Sequence, residues 1–272
     1  QTIGKAMTDS RLVRKLTFTG STETGKMLLR ECATTVKKVS MELGGLAPFI
    51  VFEDADIEAA IAGAIAAKYR NTGQTCVCAN RIYVHQDIYD GFCEGFTKAA
   101  AKIQTGEGLD PATDQGPLID EAALVKVEEH VTDAKNHGGQ ILLGGHQHKL
   151  GGLFFEPTVI KNANDEMLIA HEETFGPVAP LFSFATEEEV IARANDTPFG
   201  LASYFYTTDL AKSWRVSEQL EYGMVGLNTG IVSTEMAPFG GVKESGMGRE
   251  GSKYGVDDYL ETKYISIAGI DQ

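Results

Sequence analysis

Lys15-Leu16-Thr17-Phe18-Thr19-Gly20-Ser21-Thr22-Glu23-Thr24-Gly25 decides the fold class. Lys15 to Phe18 reads as a strand that Gly20 stops. Ser21 or Thr22 then caps a helix running to about Thr34, with Glu23 in the first turn, where its charge complements the helix dipole. Strands are expected next at 36–41 and 48–52. Asp54 or Asp56 caps an Ala-rich helix through Tyr69, with Ile57, Ala60, Ile61, Ala64 and Ile65 at helical spacing. Further helices are expected at 89–103, 121–137 and 187–195, and strands at 141–143, 202–206, 225–228 and 263–268. Strands interleaved with amphipathic helices predict an α/β fold with a mainly parallel sheet.

The chain has 272 residues, room for one large or two modest domains, and its 43% hydrophobic content is that of a globular protein that folds without disulfide or metal staples. Its longest apolar runs, such as 61–67, are too short to cross a bilayer. The start lacks the apolar core of a signal peptide. Lys plus Arg is 24 against 38 Asp plus Glu, a net charge of −14, so nucleic acid would be repelled. Four cysteines (Cys32, Cys76, Cys78, Cys93) are too few and too irregular for a disulfide scaffold or zinc ribbon. A reducing, cytoplasmic setting follows as the expectation, with no membrane partner and no metal.

Two glycine motifs mislead. Gly20-Ser-Thr-Glu-Thr-Gly25-Lys26-Met27 almost spells a phosphate-binding P-loop, but Met27 stands where a hydroxyl must ligate magnesium. Gly246-Met-Gly248-Arg-Glu-Gly251 matches a dinucleotide fingerprint, yet no hydrophobic strand precedes it, and a tight loop is the better reading.

Chemistry concentrates elsewhere. Gly73-Gln74-Thr75-Cys76 places a thiol in a loop just past the Ala-rich helix, and an accessible thiolate is a strong nucleophile at neutral pH. The six histidines sit in no motif that would support a cysteine protease, and His146 and His148 read as a solvated hairpin-like loop. Met41-Glu42-Leu43-Gly44-Gly45 puts a carboxylate at a buried strand end, where desolvation suits it to act as a base. Glu172-Glu173-Thr174-Phe175-Gly176-Pro177 and Pro238-Phe239-Gly240-Gly241 complete the set.

In this order, these segments together with Phe18-Thr19-Gly20-Ser21-Thr22 resemble the aldehyde dehydrogenase superfamily over essentially the whole chain. The stretches Arg70-Asn-Thr-Gly-Gln-Thr-Cys76-Val-Cys78-Ala-Asn80-Arg81 and 246–255 resemble its succinate-semialdehyde branch. The resemblance implies that Cys76 attacks the aldehyde carbon, that a hydride leaves for NAD or NADP, and that Glu42 activates the water that hydrolyses the thioester. It assigns Gly20, Ser21, Leu43, Glu173 and Phe175 to the cofactor, with Glu173 on the nicotinamide ribose. It gives Arg70, assisted by Ser233, the distal carboxylate of a small semialdehyde; helix-dipole complementation is the plainer role for Arg70. It also implies a reversible Cys76–Cys78 disulfide that switches activity off, at the cost of backbone movement.

The same resemblance implies a longer protein. Residues 1–44 match the end of a dinucleotide-binding, Rossmann-type domain, 45–244 a parallel-sheet catalytic domain, and 245–272 a C-terminal segment whose strand at 263–268 pairs with a neighbouring subunit in a homo-oligomer, a dimer or tetramer. The remaining cofactor-binding sheet, an oxyanion-hole asparagine and a second substrate arginine would lie upstream. Taken alone, this polypeptide is expected to turn over little or nothing. Glutarate semialdehyde, one methylene longer, is the competing substrate. A truncated, non-catalytic paralogue acting as an assembly module is the competing role.

Overall fold

The structure, a computed structural model, describes residues 2–270. A first unit is built from α1 (Thr2–Asp9), β1 (Lys15–Thr19), α2 (Thr22–Ala33) and β2 (Lys38–Glu42). Ser21 caps α2, its hydroxyl accepting the Thr24 amide at 3.3 Å. β1 and β2 run parallel, in the register Phe18 opposite Met41 and Thr19 opposite Glu42. Leu16, Leu28, Cys32, Met41 and Leu43 form a small separate core beneath α2. Gly25 serves packing here: a Cβ at that position would collide with the Leu43 side chain.

The strand expected at 36–41 begins later, at Lys38. Val36 is 91% exposed with φ of 52°, and its amide donates to the Ala33 carbonyl, so it belongs to the turn that closes α2.

The larger sheet holds seven strands among the described residues, in the order β10 (Met224–Leu227), β9 (Ala202–Tyr206), β3 (Ala47–Val51), β4 (Ala79–His85), β7 (Val178–Phe184), β6 (Thr158–Ala163), β5 (Gln140–Leu143). All neighbours are parallel except the β5–β6 pair. The pleat splits the core by face. Phe49, Val51, Ile82 and Tyr204 point toward α3 (Ile57–Tyr69) and α4 (Tyr89–Ala100), while Ile50, Tyr83 and Phe205 point toward α5 (Glu121–Asn136), α6 (Glu187–Asn195) and α7 (Leu210–Gln219). β3 is buried along its whole length, as a central parallel strand with helices on both faces must be.

The short strands β8 (Phe199–Gly200) and β11 (Val242–Lys243) pair antiparallel, and β12 (Gly246–Met247) returns to pair antiparallel with β2 opposite Glu42 and Met41. Residues 263–268, expected as a strand, make no ladder with any described residue, and Tyr264, Ile265 and Ile267 are exposed. A lone strand has no hydrogen-bonding edge of its own to join. No helix among the described residues is long and apolar enough to cross a membrane.

Arg81 of β4 is 1% exposed, and its hydrogen bonds all go to uncharged oxygens. It donates to the carbonyls of Leu46, Arg193 and Ala194 at 2.8–3.3 Å and to the Tyr222 hydroxyl at 3.0 Å. One guanidinium therefore satisfies the last turn of α6 and fixes the chain just after Gly44-Gly45. Replacing it strands several buried carbonyls, so Arg81→Met is expected to lose about 3–5 kcal/mol of stability. Urea unfolding checks this, and a loss below about 1 kcal/mol would remove Arg81 from that role.

Candidate active site

α3 ends at Tyr69, and the chain then enters a left-handed turn: Asn71, Thr72 and Gly73 have φ of 54°, 61° and 72°. This conformation is costly for a β-branched residue and persists because its surroundings fix it. The Thr72 hydroxyl donates to the Gly116 carbonyl at 3.1 Å, Asn71 Nδ2 to the Gln74 carbonyl at 2.8 Å, and Gln74 Oε1 accepts the Ile119 amide at 2.8 Å. The turn delivers a half-buried Cys76, whose backbone presses so closely on Gly45 that a Cβ there would collide with the Cys76 carbonyl. Gly45, three residues after Glu42, thus lets the chain leaving the strand end touch the thiol loop.

Glu42 is the last residue of β2 and 3% exposed. Its carbonyl accepts the Gly20 amide at 3.0 Å, and the next residue, Leu43, donates its amide to the Ser245 carbonyl at 2.9 Å. Gly240 closes over its carboxylate, a Cβ there falling 3.0 Å from Glu42 Oε1, while Oε2 has no hydrogen-bond partner among the described residues. Burial, with Glu250 adding like charge, pushes the Glu42 carboxyl up to about 8, and the nearby Arg249 opposes the rise. Burial pushes the Cys76 thiol up to about 11, with Glu173 and Glu42 raising it and its own amide and Arg70 pulling it down. Both acids and the arginine therefore act on one sulfur.

Glu173 lies against the same loop. Its Oε1 accepts the Gly45 amide at 3.2 Å, and a Cβ at Gly44 would fall 3.0 Å from Oε2. Burial pushes this carboxyl up to about 7, opposed by the Gly45 amide, Lys126 and Lys68. Lys126 Nζ of α5 donates to the Glu173 carbonyl at 2.6 Å. Phe175 has φ of 53° and is 38% exposed. Gly20 and Ser21 are exposed at the start of α2, and the Thr22 hydroxyl accepts the Gly44 amide at 3.2 Å. An acceptor carboxylate flanked by Cβ-free glycines, an exposed ring and a helix N-terminus suits a ribose, an aromatic ring and a phosphate. The Leu43 side chain turns instead into the core beneath α2.

Arg70 and Ser233 line one narrow cleft together with Thr75, Val77 and Tyr204, and Arg70 is exposed to solvent. Cys76 and Cys78 are both free thiols, and Cys78 is buried with its sulfur turned to Lys68. Sequence reasoning did not single out Lys68, Thr72, Lys126, Arg249 or Glu250. Lys126 and Arg249 sit far along the chain from the groups they serve, and no local spacing signals them.

The chain matches the model of the aldehyde dehydrogenase family over residues 1–265. It is 59% identical over 268 residues to the glutarate-semialdehyde dehydrogenase of Pseudomonas aeruginosa, covering 98% of this chain and 56% of that protein. It is 57% identical over 265 residues to the NADP(+) succinate-semialdehyde dehydrogenase of Escherichia coli, covering 97% and 55%. A crystal structure of an aldehyde dehydrogenase from Brucella melitensis superposes with a TM-score of 0.95 at 58% identity, covering 97% of this chain and 54% of that one. The chain spans about half the length of the curated relatives it matches.

Proposed function

Since the chain belongs to the aldehyde dehydrogenase family, we propose that it carries the catalytic part of an enzyme that oxidises succinate semialdehyde to succinate with NAD or NADP. The observation that carries this reading is that Gly45, three residues after Glu42, packs on the Cys76 backbone and donates its amide to Glu173, while Thr75 and Val77, either side of Cys76, line the cleft that holds Arg70 and Ser233. Cys76 attacks the aldehyde carbon to give a thiohemiacetal, its own backbone amide helping to hold the oxyanion. The nicotinamide cofactor, when bound, supplies the hydride acceptor. Glu173 and Phe175 orient it, with Gly20 and Ser21 at the helix start and the Leu43 backbone alongside. The substrate carbon is left as a thioester on Cys76, and Glu42 then takes a proton from the water that hydrolyses it. Residues 1–44 belong, in this reading, to the end of the cofactor domain, 45–244 to the catalytic domain and 245–272 to an oligomerisation segment of a cytoplasmic homo-oligomer.

Arg70 selects an aldehyde with a distal anion, with the Ser233 hydroxyl as a second contact. A charge-assisted pair contributes about 1.5–3 kcal/mol. In the complete enzyme, Arg70→Ala is therefore expected to raise KM for succinate semialdehyde by roughly 10–100-fold and to leave an uncharged aldehyde nearly unchanged. Equal effects on both substrates would take Arg70 out of the substrate pocket. Glutarate semialdehyde is the second reading, supported by the P. aeruginosa relative. One methylene separates the two by only about 1–3 kcal/mol, so the ratio of kcat/KM values decides between them. A non-catalytic assembly role is tested by alkylating Cys76 with iodoacetamide: protection by aldehyde plus cofactor marks an enzyme. The Cys76–Cys78 disulfide switch is tested by peroxide inactivation, reversed by dithiothreitol and lost in Cys78→Ala.

A further inference from the structure

The reaction above makes no use of Lys68, yet this residue occupies an unusual position. It lies in the last turn of α3 with 0% exposure, and its Nζ donates to Cys78 Sγ at 3.3 Å. Cys78 is 1% exposed, and among the described residues its sulfur otherwise hydrogen-bonds only to the Lys68 and Ala79 carbonyls, at 3.5 and 3.8 Å. Glu173, the acid that feels the Lys68 charge, spends its side-chain hydrogen bond on Gly45.

A buried ammonium facing a neutral thiol leaves a charge uncompensated. Loss of one proton removes that net charge, and the remaining protons can then be arranged in two ways, as ammonium with thiolate or as amine with thiol. Either arrangement sets a nucleophile directly against the other heteroatom, and the two interconvert by one proton shift across the 3.3 Å contact.

We propose that Lys68 and Cys78 form an oxidation site at which a peroxide joins the two side chains through a sulfur–nitrogen bond. The Cys78 thiolate attacks one peroxide oxygen and the O–O bond breaks. Sulfur becomes a sulfenic acid, oxidised by two electrons, and the departing hydroxide takes a proton from the Lys68 ammonium and leaves as water. The amine so formed attacks the same sulfur, the S–O bond breaks, and a second water leaves, giving a sulfenamide. This is the condensation that sulfenic acids undergo with nearby nitrogen nucleophiles. Two equivalents of a thiol reverse it, restoring amine and thiol and leaving as a disulfide. The bond would clamp the end of α3 to the residue before β4, locking the turn that carries Arg70 and Cys76. It also withholds Cys78 from any disulfide with Cys76. The proposal does not depend on which aldehyde the protein uses.

Peptide mapping of the purified, reduced protein after hydrogen peroxide treatment tests it. The expected result is loss of tryptic cleavage after Lys68 and a linked species joining 39–70 to 71–81, lighter by two hydrogens than the separate peptides. Dithiothreitol added before digestion should restore cleavage. The linked species should persist in Cys76→Ser and vanish in Lys68→Arg. Undiminished cleavage after Lys68 in the peroxide-treated parent overturns the proposal, whether Cys78 is recovered as a Cys76 disulfide, as a sulfinic acid or as an unmodified thiol.

Discussion

The Cys76→Ser form of the complete enzyme is expected to lose aldehyde oxidation by at least about 1,000-fold while unfolding at the parent's temperature. The loss follows from the environment of the sulfur. Burial and two carboxylates already hold the thiol at about 11, and a hydroxyl in the same place would ionise far less. Stability should not follow, because Cys76 is half-buried at the tip of a turn whose own hydrogen bonds come from Asn71, Thr72 and Gln74. Steady-state turnover on succinate semialdehyde and a thermal melt decide it together. A serine variant within tenfold of the parent would remove the covalent mechanism.

Glu42→Gln is expected to separate the two halves of the reaction. Hydride transfer needs the thiol, so a first burst of reduced cofactor should survive. Steady turnover should fall by roughly 100- to 10,000-fold, because the amide cannot take a proton from water. The pH profile carries the sharper signature. With its carboxyl pushed up to about 8, Glu42 is mostly protonated at pH 7, so thioester hydrolysis in the parent should climb about tenfold per pH unit and flatten above that point. The glutamine profile should lack this limb. A proton passing from the thiol near 11 to the carboxylate near 8 also goes uphill by roughly 4 kcal/mol, which makes Glu42 a poor partner for ionising Cys76 before cofactor arrives. Stability moves oppositely to activity. A folded carboxyl held above its ordinary value favours the fold at low pH and loses that contribution as pH rises through about 8, so Glu42→Gln should gain stability relative to the parent over that range. A burst lost together with turnover would assign Glu42 to the first step instead.

Much of this architecture is legible in the sequence, and the gaps have physical causes. The helices at Thr22, Ile57, Tyr89, Glu121 and Glu187 and the strands at Lys15, Ala47, Gln140, Ala202 and Met224 stand out because their apolar spacing is regular, whereas α1 and α7 are not among the expected elements. Three central strands do not. β4 carries Asn80 and Arg81 in its interior, which breaks the apolar run, and the tertiary partners that make a buried arginine tolerable lie 35 to 141 residues away. β7 contains Pro180, which lacks a backbone donor and argues against a central strand. The sheet absorbs it through an irregularity in β6. Register jumps between Ile160 and Ala163, Asn162 takes φ of 59°, and its amide donates to the Tyr89 hydroxyl, which in turn donates to the Leu181 carbonyl. For the candidate site, motif order identifies Cys76, Glu42, Glu173 and Arg70. It is silent on Lys68 and Lys126, whose positions depend on how α3 and α5 lie on the sheet.

The wall around Glu42 is made by chain that follows it by about 200 residues: Gly240 over the carboxylate, Ser245 bonded to Gly44, and β12 zipped beside β2. During synthesis Cys76 emerges long before Glu42 has its enclosure. A ribosome-bound intermediate therefore displays the Cys76 thiol while Glu42 is still hydrated, and the enclosure forms only once residues 240–247 have been made. Trimming the tail upstream of Ser245 should consequently hydrate Glu42 and return it toward an ordinary surface carboxylate, even though no group named in the reaction has been removed.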